Sequence, residues 1–277
     1  MQVVSISSLK GGVGKTSVTL GLASAALSAG IPTLVIDLDP HADATTGLGV
    51  RARDNLDIGQ LLKASRRADL QSHTVPSGWV ANALKLHGDV LDEKPVLDVA
   101  MGSAFSGIYD RPDLGKRDLH RLQKLLSKVS GYGLVLVDCP PSLNGLTRMA
   151  WTASNRVLLV AEPGLFSVAG TERTLRAIEL FRTEFAPDLQ PAGIVVNRVR
   201  SGSSEHTFRL AEMQRMFGEL LLSPTIAEQA NWQQIQGAAH AIHHWPGDSA
   251  RQASGYFDDL LRGLLDSGRL RTRAPRR

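Results

Sequence analysis

Among 277 residues there is one cysteine, Cys139. A lone thiol gives neither a disulfide framework nor a multi-cysteine metal site, and it suits a reducing compartment. No apolar run approaches the ~18 residues needed to cross a bilayer, and no internal repeat or linker divides the sequence. These absences lead us to expect a soluble, cytoplasmic protein. Lys10 and Lys15 ahead of the apolar stretch 18–29 imitate the charged and apolar parts of a signal peptide. The strand and glycine-rich turn in that place fit such a peptide poorly. With 43% hydrophobic residues the chain can bury a sizeable core, as one large α/β domain or two small ones. The formal charge of +4 is uneven. Residues 262–277 hold Arg262, Arg269, Arg271, Arg273, Arg276 and Arg277 against Asp266, and the body is near neutral. Such a tail either touches phosphates or an anionic membrane, or is simply a solvated end.

The richest stretch is Ser8 to Ser17, Ser-Leu-Lys-Gly-Gly-Val-Gly-Lys-Thr-Ser. An apolar run, Val3 to Ile6, precedes it, and helix formers from Val18 to Ala29 follow. Strand, glycine-rich turn, then Lys-Thr opening a helix is the P-loop arrangement. Consecutive backbone N–H groups and a helix N-terminus can surround a triphosphate. Gly11, Gly12 and Gly14 permit the close approach and the backbone angles that a Cβ forbids. Lys15 is placed to reach the β- and γ-phosphates, and the Thr16 hydroxyl to sit on Mg²⁺.

The loop departs from the ordinary pattern, which puts a glycine where Leu9 stands. It has a second lysine instead, and Lys10-Gly11-Gly12-Val13-Gly14-Lys15-Thr16 resembles the deviant Walker A motif of the ParA/MinD group of ATPases. That resemblance implies that Lys10 reaches across a dimer interface to the partner subunit's nucleotide, with residues 10–17, Val13 and Ser17 included, binding ATP. Cys139 alone counts against an iron–sulfur relative such as the nitrogenase iron protein, which needs two cluster cysteines per chain.

Continuous apolar strands separated by helices indicate a parallel sheet covered on both faces. Thr33 to Ile36 is one, ending in Asp37-Leu38-Asp39-Pro40. Ligands collect at the carboxyl ends of such strands. Beside a P-loop these two carboxylates read as groups for Mg²⁺ and for orienting water. The segment Asp37 to Thr45 is similar to the D-x-D-P-Q-x-x-A-T of ParA proteins, which implies that Asp39 positions the attacking water. His41 replaces the usual glutamine and receives no role. Residues 51–95 are hard to read, beyond a charged, helix-rich connector from Arg51 to Ala68. Val96 to Ala100 follows as a strand, and Leu119, Leu122, Leu125, Leu126 and Val129 recur at helical spacing.

Leu134 to Val137 followed by Asp138 is a Walker B pattern, whose Asp can hold the water shell of the P-loop Mg²⁺. Asp138-Cys139-Pro140-Pro141-Ser142 closely resembles the D-C-P-P-S of ParA proteins, and Cys139 reads as a small buried residue. Two more strands, Arg156 to Ala161 and Ala192 to Val196, flank a helix over 169–185, and the second ends at Asn197. By resemblance Asn197 contacts adenine; as a bare residue it is a turn former.

ParA proteins bind DNA non-specifically, and the resemblance points to Arg198, Arg200, Arg209, Arg215 and Arg251 as phosphate contacts. The same stretch also reads as a solvated helix of mixed charge, since Glu205, Glu212 and Glu219 are interleaved. No Lys or Arg occurs between Arg215 and Arg251, where relatives usually carry more. His240, His243 and His244 share helical spacing, but Trp245-Pro246 ends the helix and no carboxylate or thiol completes a metal set. The apolar stripe Phe257, Leu260, Leu261, Leu264 and Leu265 is core packing, or resembles the membrane-targeting end of MinD proteins.

The expected architecture is α/β: a doubly wound, mostly parallel sheet with helices on both faces. A P-loop ATPase domain would span residues 1–265 and a basic tail 266–277. With its P-loop starting at residue 8, the chain is expected to lack the N-terminal helix-turn-helix domain of larger plasmid ParA proteins. The resemblance implies an ATP- and Mg²⁺-dependent homodimer that holds nucleoid DNA and is released when a ParB-like partner stimulates hydrolysis. A membrane-surface ATPase of the MinD type, or a metabolic enzyme such as dethiobiotin synthetase or a cobyrinic acid amidase, is the alternative. Lys10 argues against the last.

Overall fold

The computed structural model describes residues 1–51, 57–87, 94–229 and 231–272. The tail residues Arg273, Arg276 and Arg277 therefore lie outside the described residues, as do 52–56 and 88–93 of the connector.

The first half alternates strands and helices: β1 (Gln2–Ser7), α1 (Lys15–Ser28), β2 (Thr33–Asp37), α2 (Asp43–Gly47), α3 (Ile58–Lys63), β3 (Val75–Pro76), α4 (Gly78–His87) and β4 (Leu97–Ala100). Two short helices, α5 (Lys116–Leu119) and α6 (Arg121–Leu126), lead into β5 (Leu134–Asp138). Then come α7 (Gly145–Ala153), β6 (Arg156–Ala161), α8 (Leu165–Glu184), β7 (Gln190–Val196), α9 (Ser204–Phe217), α10 (Trp232–Gly237) and α11 (Asp248–Thr272). The seven strands form one sheet in the order β3-β4-β2-β5-β1-β6-β7. All neighbours are parallel except β3 on β4. The six strands expected from apolar runs are all present, and the short antiparallel β3 is an addition from the connector. The run 119–129 is helical only in the pieces α5 and α6, and α8 begins four residues before the expected Ala169.

Each central strand feeds two cores. Val135 and Val137 of β5 face a layer with α3, α6, α7 and α8, whereas Leu134 and Leu136 face α1 and α11. This double burial is why these strands read as unbroken apolar runs. The strands all point the same way, so β2 and β5 deliver Asp37 and Asp138 to the same edge as the turn after β1.

The stripe on α11 settles between its two readings. Phe257, Leu260, Leu261 and Leu264 are buried in the core that contains α1, so this apolar face is packed within the chain. No described helix is long and apolar enough to cross a membrane. Helical backbone continues to Thr272, past residue 265 where a tail was expected. His243 is spent on the same junction: Nδ1 pairs with Ser24 Oγ at 2.7 Å and Nε2 with Asp258 Oδ1 at 3.0 Å. α1 meets α11 at Gly21, where a Cβ would lie 2.2 Å from the Phe257 ring. That ring is fully buried and stacked on Trp232, so it cannot swing aside. Gly21→Ala is expected to destabilise the fold by about 1–3 kcal/mol, as overpacked cores do. In urea the midpoint should fall with an unchanged slope; an unmoved midpoint would show that the helices separate freely.

Candidate functional site

Between β1 and α1 the chain makes a tight turn around an open space. Gly12 and Gly14 have φ of 80° and 89°, which favour glycine. At Gly14 a Cβ would also fall 2.3 Å from Asn197 Nδ2. Gly14 directly precedes α1, and no side chain caps that helix, so its first amides remain available to an anion. Lys15, the first residue of α1, is 7% exposed and forms no ion pair among the described residues. A cleft of about 450 Å³ opens over this turn, with Lys15, Thr16, Asp39, His41, Arg198 and Gln236 among its walls.

The strand-end carboxylates have separate tasks. Asp138 is fully buried; Thr16 Oγ1 donates to its Oδ2 at 2.8 Å and Thr19 Oγ1 to its Oδ1 at 2.7 Å. Burial raises its pKa, against the pull of those two hydroxyls and of the Lys15 charge. Asp37 faces Asp138 across the β2–β5 ladder, and burial, followed by the Asp138 charge, raises its pKa too. Both Asp37 oxygens are engaged: Oδ1 accepts from Asp39 N at 3.2 Å, Oδ2 from Thr45 N at 2.8 Å and Thr45 Oγ1 at 2.7 Å. Asp37 is thus a positioning group that locks the following turn. Asp39, half-buried on the cleft wall, accepts His41 N on Oδ1 at 3.0 Å. Thr16, Asp138 and Asp39 supply hard oxygen donors, and the buried Asp37 carboxylate beside them also favours a nearby cation, a set suited to Mg²⁺.

The two loop lysines point to different surroundings. Lys15 is buried near Asp138, whereas the Lys10 side chain is 45% exposed and its Nζ meets Glu162 Oε2 at 3.0 Å. Glu162 lies just beyond β6, and its other oxygen takes Arg198 Nη1, also at 3.0 Å. The same Arg198 nitrogen donates to Gly12 O at 2.6 Å. Arg198 therefore belongs to the mouth of this cleft. Asn197 is 6% exposed and donates from Nδ2 to Val13 O at 2.9 Å. This amide, expected to contact adenine, braces the turn from β7. Gln236, which holds Ser17 Oγ at 2.8 Å, was not foreseen; nor was Glu162. Each comes from an element remote in sequence, and neither carries a local motif.

The remaining arginines are mostly neutralised. Arg200 pairs with Glu228 at 2.6 Å, Arg209 with Glu205 at 2.6 Å and Glu212 at 2.8 Å, and Arg251 with Asp248. Only Arg215 of the five stands without an ion pair among the described residues. Burial pushes the Cys139 thiol up to about 12, which fits a packing residue and not a nucleophile.

Comparison with known proteins gives this geometry a family. The profile of a family described as an AAA domain matches residues 1–191. The chromosome partitioning protein ParA of Caulobacter vibrioides is 31% identical over 232 residues, covering 82% of this chain and 80% of its own. An ATP complex of a Cyanothece McdA variant superposes with a TM-score of 0.78 at 17% identity, covering 96% of each chain. Cobyrinic acid a,c-diamide synthase from Mycobacterium smegmatis, solved with ADP and magnesium, gives 0.73 at 22% identity, covering 97% of this chain and 96% of its own.

Proposed function

The chain belongs to the AAA-domain family of P-loop ATPases that includes the chromosome partitioning protein ParA, and from that premise we propose that it is a positioning ATPase. ATP with Mg²⁺ occupies the cleft, held by the amides of residues 10–17, by Lys15, and by Mg²⁺ on Thr16 and Asp138. Two subunits close face to face over their nucleotides, and each Lys10 leaves its own Glu162 for the other subunit's phosphates. The ATP dimer holds DNA, a cargo-bound partner stimulates hydrolysis, and loss of the γ-phosphate contact releases the dimer. The nucleotide acts by favouring one state over the other, so hydrolysis shifts the population.

The observation that carries this reading is the division of labour between the lysines. One buried ammonium suffices to serve the chain's own phosphates, and the second stands at the rim, 45% exposed, on a carboxylate it shares with Arg198. Leu165 and Phe166, 53% and 78% exposed at the start of α8 beside Glu162, supply apolar surface of the kind subunit interfaces cover. A metabolic P-loop enzyme would have no use for Lys10 in that place.

The test is retention of the protein on random-sequence DNA with ATP and with ADP. ATP-dependent, salt-sensitive retention is expected. Equal binding with both nucleotides, or a product formed from a small carboxylic acid and ATP, would contradict it.

A further inference from the structure

A cluster of unneutralised charge lies away from the cleft. A second cavity, of about 270 Å³, opens between the turn that follows α3 and the helices α5 and α6, lined by Lys63, Arg66, Arg67, Arg117, Arg121 and Lys124. It sits on the layer opposite α1 and α11. Arg121 alone is matched, by Asp118 at 2.7 Å. The other five are exposed and have no ion pair among the described residues. This contrasts with Arg200, Arg209 and Arg251, each held by a carboxylate.

The cavity is built, not incidental. Arg121 Nη1 donates to Leu62 O at 2.9 Å and to Lys63 O at 3.3 Å. Lys128 Nζ donates to Ala68 O at 3.0 Å and to Arg66 O at 3.3 Å. Two cations from beyond α5 thus pin the backbone on both sides of the turn that carries Arg66 and Arg67. Five like charges crowded on a fixed frame repel one another, and a polyanion relieves that repulsion.

We propose that this cavity is a docking surface for the phosphodiester backbone of nucleic acid, independent of sequence. The walls favour a phosphate chain over an acidic protein. Among the described residues Ala64 is the only apolar one lining them, whereas protein interfaces need buried aromatic or aliphatic anchors. No Asn, Gln or aromatic residue among the described ones lines them either, so phosphates are gripped and bases are not read. Guanidinium groups match phosphate oxygens in pairs. This inference rests on the reading of the protein as a DNA-held ATPase, and it moves the grip from the mostly paired arginines of 198–251 to the α3–α6 layer.

The cavity is complete within one subunit, which separates its test from that of the dimer. Binding of the full chain to a short random-sequence DNA duplex is measured by fluorescence anisotropy between about 50 and 200 mM salt, with ATP and without nucleotide. The variants are the triple Arg66→Ala/Arg67→Ala/Lys124→Ala and the single Lys124→Glu. Neither touches the nucleotide cleft, so turnover without DNA serves as a fold control. Three lost phosphate contacts should lower the salt slope by about 2–3, and affinity at the lowest salt should fall at least tenfold in both nucleotide states. If the variants bind like the native chain while ATP still promotes binding, this surface is wrong and the DNA-held ATPase stands. Tighter binding of poly-glutamate than of the duplex at equal salt would assign the cavity to an acidic protein and overturn the proposal. A native chain that binds no duplex in either state overturns both.

Discussion

Replacing Asp39 by alanine is expected to reduce ATP turnover at least 100-fold while ATP remains bound. Asp39 is fixed from two sides: its own N–H is held by Asp37, and its Oδ1 accepts the His41 amide. Asp37 in turn is locked by Thr45. The carboxylate therefore stands on the cleft wall in one orientation, with Oδ2 in no protein hydrogen bond among the described residues. A group so placed can hold a water in line with the phosphate, and positioned acid–base groups contribute roughly 10²–10⁴-fold. Phosphate grip depends mainly on the loop amides, Lys15 and the Thr16–Asp138 pair, all of which remain when the substitution takes one oxygen donor from the Mg²⁺ set. Phosphate release at saturating ATP should collapse, and binding of a fluorescent ATP analogue should be unchanged. Turnover within threefold of the native rate would remove Asp39 from the mechanism. If hydrolysis opens the dimer, this variant also accumulates as the ATP-bound pair.

The second large effect is expected at Lys10. Its ammonium meets Glu162 at 3.0 Å in the single chain, so it is bound but replaceable; an exposed pair of this kind is worth little. In the dimer it would trade that carboxylate for phosphate oxygens in a desolvated interface. Hydrogen bonds to charged groups contribute about 1.5–3 kcal/mol each. Two-fold symmetry makes the loss count twice, so Lys10→Ala should weaken ATP-dependent association by about 10²–10⁴-fold. Light scattering with ATP would then find the variant as a monomer where the native chain pairs, with ATP still bound to Lys15 and the loop. Glu162→Gln removes the competing carboxylate and should move association the other way. Native-like pairing in Lys10→Ala would show that the second lysine is not a partner contact.

Much of the site was legible because its parts are contiguous. The turn from Lys10 to Thr16, the carboxylates at and just past the end of β2 and the one that ends β5 are local patterns, and parallel strands bring their ends to one edge. Central strands buried on both faces announce themselves as apolar runs. What could not be read depends on distance or on shortness. Glu162 reaches Lys10 across 152 residues, and Gln236 reaches Ser17 across 219. The pairing of Arg209 with Glu205 and Glu212 was visible as helical spacing, but that of Arg200 with Glu228 joins separate segments. Asn197 marked the end of β7, but its hydrogen bond to Val13 O spans 184 residues and carries no local signal. The basic cavity combines the 63–67 turn with 117–124, two stretches that look like ordinary solvated helix faces when read singly. Within 51–95 β3 has two residues and α3 six, too few to establish a period, and only α4, with ten, is longer among the described elements.

The most direct measurement is a crystal structure of the full chain with a non-hydrolysable ATP analogue and Mg²⁺. We expect two subunits facing each other across two nucleotides, with each Lys10 Nζ withdrawn from Glu162 and within about 3 Å, hydrogen-bond range, of the other subunit's phosphate oxygens. A nucleotide-filled single subunit, its Lys10 still resting on its own Glu162, would contradict the proposal that the nucleotide joins two copies of this chain.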